Sequence, residues 1–209
     1  MDGVFETIKE KKIVAIIRAS SSKNIEEVVK SLYQGGIRCV EVTMNTPGSL
    51  EAIKRLKANN ENMYIGAGTV LNSESAFAAI HAGADFLLAP TLNKNTIKSA
   101  NQYGVPIIPG VATPTEALQA YEWGAKMVKF FPIRAFGKEY IKDIKGPLPF
   151  INTMAVGGVS LHNTLDFLKS GFDSVGVGSS LVDNELIRLN DFDAIKKRAE
   201  KFVISVESI

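Results

Sequence analysis

The chain has 209 residues, 45% hydrophobic and 22% charged, with a formal charge of +2, a balance that suits one globular enzyme domain and excludes a disordered, fibrous or membrane-embedded chain. So small a charge, spread over the whole length, gives no reason to expect nucleic acid as a partner. A single cysteine, Cys39, excludes an internal disulfide, and its place beside Val40 and Val42 marks it as a core thiol.

The N-terminus, MDGVFETIKEKKI, carries acidic residues and no apolar run long enough for a signal peptide. No later stretch approaches the ~18 consecutive apolar residues of a spanning helix, so a cytoplasmic protein without membrane contact is expected. VFETIKE reads as a short amphipathic helix that lies across one end of the fold as a plug. Eight short β-branched runs then follow: Ile13–Ile17, Cys39–Thr43, Met63–Gly66, Phe86–Ala89, Pro106–Pro109, Met127–Phe130, Asn152–Val156 and Ser174–Val177. Each gives way to a segment of helical periodicity, the pattern of a parallel sheet with crossover helices. Asn24 to Tyr33, for example, places Ile25, Val28, Val29 and Leu32 on one face before Gly35-Gly36 stops it. Gly83, Gly104, Gly124 and Gly171 punctuate the other helices in the same way.

Roughly 26 residues per unit is the compact end of what a strand, a helix and two loops require. The expectation is a single-domain α/β protein over residues 1–209, a (β/α)8 TIM barrel with a short N-terminal helix. An open doubly wound sheet would carry a Gly-rich fingerprint after its first strand, whereas Arg18-Ala19-Ser20-Ser21-Ser22 stands there.

Barrels of this kind work at the C-terminal ends of their strands, and those ends are polar here. Lys129 lies in MVKFF, where alternation puts Met127, Lys129 and Phe131 on one face. Burial there disfavours the ammonium and favours the neutral amine that attacks carbonyls; the competing readings are a lysine that reaches solvent from the strand end or half of a structural ion pair. Glu41 shares a face with Thr43 and Asn45 and supplies a carboxylate able to move protons, or the other half of that ion pair. After the seventh and eighth strands, Gly157-Gly158 and Gly178-Ser179-Ser180 let backbone N–H groups approach a phosphate. Arg18 ends the first strand, where it can grip a carboxylate, and Thr69 offers either a substrate hydroxyl or a helix cap. Strand four runs into Pro90. Neither His81 nor His162 has partners at ligand spacing, so no metal is expected.

The strings EVTMNTPGSLEAI, IGAGTVL, PIIPGVATPTEAL, VKFFPI and the paired GG and VGVGSSLV loops together resemble the bacterial 2-keto-3-deoxy-6-phosphogluconate aldolases, which also act as 4-hydroxy-2-oxoglutarate aldolases. The resemblance spans Ile13 to about Val182. It implies a class I aldolase without metal or cofactor that splits a phosphorylated keto acid of the Entner–Doudoroff route into pyruvate and glyceraldehyde 3-phosphate, and a homotrimer. Carried over, Lys129 is the Schiff-base lysine and Glu41 the proton shuttle. Thr69 would meet the pyruvyl carboxylate, Pro90 and Phe131 would shape the pocket, and Gly157, Gly158 and Ser179 would hold phosphate. Two departures stand out: Asn45 where many members carry arginine, with Arg18 as its replacement, and Val156 where many carry threonine. The galactonate-series aldolase is therefore an alternative, and a phosphosugar isomerase or epimerase, or a non-catalytic metabolite-binding protein, would use the glycine loops without an imine.

Overall fold

The computed structural model describes residues 2–59 and 62–207. After helix α1 (Asp2–Lys11) come strands β1 (Ile13–Ile17), β2 (Cys39–Thr43), β3 (Tyr64–Gly68), β4 (Leu87–Leu88), β5 (Ile107–Ile108), β6 (Gly110–Val111), β7 (Met127–Phe130), β8 (Asn152–Val156) and β9 (Ser174–Val177). All pair in parallel, in the order β5-β4-β3-β2-β1-β9-β8-β7-β6. The nine segments make eight staves, because β5 and β6 are one stave interrupted at Pro109. Proline has no N–H to give the ladder, but its carbonyl still accepts from Lys129 N–H at 2.9 Å. β5 pairs with β4 and β6 with β7, so this stave closes a (β/α)8 barrel.

Five of the eight expected strands have the expected ends. The third runs two residues further, to Gly68, and the fourth shortens to Leu87–Leu88. Both differences fall where glycine and proline weaken the pattern of alternation.

Alternation along each stave sorts the core into two layers. Ile13, Ala15 and Ile17 of β1, Val40 and Val42 of β2, and Val128 and Phe130 of β7 pack outward against the helices. Val14, Cys39, Phe86, Ile108, Met127 and Met154 fill the barrel interior. Val4 and Ile8 of α1 are buried in that same inner cluster, so the N-terminal helix closes the bottom of the barrel as the sequence suggests. Cys39 is enclosed there, and burial, with a smaller push from Asp85, raises its thiol to about 12. Helix α2 (Ile25–Gln34) and helix α10 (Phe192–Val206) pack together, and Gly35 is needed at their contact because a Cβ there would overlap Ala199. The positive φ of 94° falls on Gly36 instead.

The structure also contains a repeat that the sequence reading did not find. Lys57 binds Asp85, 28 residues on, and Asp85 accepts the N–H of Ile65, 20 residues before it. Lys145 binds Asp173 and Asp173 accepts the N–H of Thr153 at the same two spacings. Within this frame β2 corresponds to β7 and β3 to β8, on opposite sides of the barrel. Glu41 and Lys129 then occupy equivalent positions, the third residue of each strand, and both point inward.

Candidate active site

Lys129 is 4% exposed and Glu41 2% exposed, each inside the barrel. Gly68 makes room for the carboxylate: a Cβ at that position would lie 2.5 Å from both Glu41 oxygens. The sequence reading passed over Gly68, although a glycine on the inward face of the neighbouring strand is what a buried carboxylate needs. No hydrogen bond or ion pair joins Glu41 to Lys129 among the described residues, and Glu41 Oε2 is buried with no partner. A buried polar atom left in this state is costly unless the carboxyl is protonated or a further molecule meets it.

The electrostatics follow from this enclosure. Burial pushes the Glu41 carboxyl up to about 7 against the lowering pull of Lys129 and then Arg18. Burial likewise lowers the Lys129 ammonium below its usual range, with Glu41 pulling the other way and Arg18 adding to the fall. Both shifts have the same sense: burial favours the neutral form of each group, an amine and a carboxylic acid, over the charged pair. Neither a lysine reaching solvent nor a closed ion pair describes this geometry.

A cavity of about 370 Å³ opens at the ends of β1, β7, β8 and β9, and neither Lys129 nor Glu41 is part of its lining. Arg18, Phe131, Gly157, Gly158, Gly178 and Ser179 line it, all from the expected set, and Arg134 and Asn184 line it too without having been expected. Lys129 Nζ stands 5.3 Å from the centre of the Phe131 ring, which links lysine and cavity. At the floor, Gly176 keeps the space open, since a Cβ there would come within 2.9 Å of Val156. Gly157 and Gly158 have φ of 91° and 95°, a region that side chains enter only under strain. Among the described residues, the N–H groups of Gly158, Val159 and Ser179, with others of these loops, donate no hydrogen bond within the chain, so backbone donors are free there.

Other expected residues are distributed more widely. Thr69 takes φ 57°, unusual for a β-branched side chain, and its hydroxyl accepts from Arg18 Nη2 at 3.5 Å. The helix cap that it might have supplied belongs to Asn72, which with Ser75 forms a capping box. Pro90 presses its carbonyl against Gly110, the register partner of Lys129. Thr43 is fully buried, its hydroxyl is shared within one turn with that of Thr46 at 3.1 Å, and Thr46 in turn accepts from the Ala19 N–H at 3.1 Å; Thr43 is not part of the cavity lining. Asn45 is exposed and stands outside the cavity lining.

A family model for aldolases, described as KDPG and KHG aldolase, matches residues 4–198. The chain belongs to this family. It is an aldolase, and hence a lyase. A 2-dehydro-3-deoxy-phosphogluconate aldolase of Haemophilus influenzae is 34% identical over 96% of this chain and 95% of its own. A 2-dehydro-3-deoxy-6-phosphogalactonate aldolase of Escherichia coli is 36% identical over 81% and 83%. Among solved structures, a KDPG aldolase from Legionella pneumophila with pyruvate captured as a covalent carbinolamine superposes with a TM-score of 0.85 at 28% identity, covering 90% of this chain and 92% of that one.

Proposed function

We propose that this aldolase cleaves 2-keto-3-deoxy-6-phosphogluconate to pyruvate and glyceraldehyde 3-phosphate through a Schiff base on Lys129. The observation that carries the reading is the enclosed Lys129 amine beside the unpartnered Glu41 carboxyl, linked through Phe131 to a cavity with two arginines and free backbone donors. The Lys129 amine attacks the C2 ketone, and Glu41 gives the proton with which the carbinolamine loses water. The resulting iminium withdraws electrons as the C3–C4 bond breaks and the C4 hydroxyl loses its proton, so an aldehyde leaves. Glu41, acting through a water, supports proton return to C3, and hydrolysis frees pyruvate and the amine. Thr69 and Arg18 receive the carboxylate end in this reading, and Gly157, Gly158, Gly178 and Ser179 the phosphate end. The pyruvate carbinolamine in the Legionella relative supports the imine chemistry for this chain.

A second reading takes the galactonate-series epimer as substrate. Val156 on the cavity wall, Asn45 in place of arginine, and the 36% identity to the galactonate-series relative favour it. Cleavage of 4-hydroxy-2-oxoglutarate to pyruvate and glyoxylate is a further reaction that the family's name suggests. We assign the full chain to one catalytic domain. A homotrimer is the proposed assembly, supported by exposed aromatic pairs such as Phe77 with Tyr103 and Tyr121 with Phe150; sedimentation at the mass of three 22.6-kDa chains tests it. A charged phosphorylated substrate does not cross membranes, which supports a cytoplasmic location, and no helix among the described residues is long and apolar enough to span one.

Sodium borohydride reduction with pyruvate tests the mechanism. The expected result is one reduced pyruvyl group on the peptide holding Lys129. A folded protein that binds phosphate yet acquires no adduct would sink the aldol mechanism and return the isomerase reading.

A further inference from the structure

The cavity that Phe131 links to Lys129 is lined by two arginines and no carboxylate. Arg18, at the β1 flank, is directed towards Thr69. Arg134 lies across the cavity on the 3-10 turn Ile133–Ala135 that follows β7, and among the described residues its guanidinium has no hydrogen bond or ion pair. Its backbone is fixed to the glycine turn, because Arg134 N–H donates to the Gly157 carbonyl at 3.0 Å. Its stem lies on Gly158 so closely that a Cβ there would approach Arg134 Cβ to 2.8 Å. The absence of a side chain at position 158 therefore seats this arginine, in addition to exposing backbone to an anion. Arg134 is exposed, and an unpaired guanidinium in the lining of a cavity that the loops with free N–H groups also line has the chemistry of a dianion receptor.

We infer that Arg134 is a specificity-determining residue that selects substrates with a terminal phosphate over keto acids that lack one. The inference rests on the aldolase reading and extends it, since neutral glycine N–H groups hold an anion while the added cation favours a dianion. Two positive ends then match a substrate with a carboxylate at one end and a phosphate at the other.

The test compares kcat/KM for the phosphorylated six-carbon keto acid, in whichever C4 epimer is cleaved faster, with that for its unphosphorylated form, in wild type, R134K, R134Q and R134A. A charge-assisted contact of this kind predicts that R134A loses about 10- to 100-fold of the preference for phosphate. The loss should fall mainly on KM, with R134K intermediate and with weaker competition by inorganic phosphate. R134Q keeps most of the stem over Gly158 and decides the matter should R134A misfold. A folded variant whose preference stays within about twofold of wild type would overturn the assignment. Pyruvate trapping on wild-type Lys129 separates the two failures: no adduct defeats the aldolase reading, whereas an adduct with unchanged preference defeats only the role of Arg134.

Discussion

The two halves of the barrel share a scaffold and differ at the mouth. Lys57 with Asp85 and Lys145 with Asp173 make the same ion pair and the same backbone contact at matched positions. At the catalytic level the equivalents are opposite in kind: Glu41 in one half faces Lys129 in the other, and Thr69 at φ 57° stands where the second half has Gly157 at φ 91°. Structure is repeated where it supports the strands, and chemistry diverges where they end. An acid and a base arise here from one inward position used twice.

Breaking that divergence at its centre has the largest expected effect. E41Q keeps the size of the side chain but removes the proton shuttle, and kcat should fall by about 10²- to 10⁴-fold; a loss below about threefold would leave Glu41 a spectator. The scaffold pairs come next. D85A and D173A each remove an ion pair and a backbone acceptor, so each should lower stability by about 2 kcal/mol in chemical denaturation, and a large inequality between them would break the equivalence of the halves. Exchanging the left-handed residues should give opposite signs: G157T loses about 2 kcal/mol because its Cβ meets Pro132 at 3.0 Å. T69G gains up to about 1 kcal/mol of stability while raising the KM for pyruvate, as Arg18 loses its hydroxyl partner.

The last prediction is a pH slope. Folded Glu41 titrates near 7, above the usual 4.5, so between those values the folded state binds more protons than the unfolded state. Stability contributed by this group is fully present below pH 4.5 and declines as pH rises through about 7. Thermal melts of E41Q should lack that decline.

Much of this arrangement was legible in the residues. β-branched runs with period two located the staves, and the place of Lys129 and Glu41 in such runs foretold their burial. Glycines at 36, 83, 104, 124 and 171 marked the helix ends because few other residues accept their positive φ. What escaped notice depends on contacts between distant parts of the chain. Arg134 follows a proline in an irregular turn and has no periodicity to flag it. Thr43 shares a strand face with Glu41, but its hydroxyl bond to Thr46 belongs to a turn that strand alternation does not describe. Asn45 left the strand before alternation ceased to be a guide.

Helix α1 has a consequence for traffic. Val4 and Ile8 fill the lower end of the barrel, which leaves the mouth as the way to Lys129 among the described residues. In the proposed reaction an aldehyde released by C–C cleavage leaves by the route through which the keto acid entered, past the two arginines, while the three-carbon fragment stays tethered to the lysine. On that reading departure is ordered by connectivity: the phosphorylated fragment goes first, and pyruvate follows only after water has entered through the vacated passage.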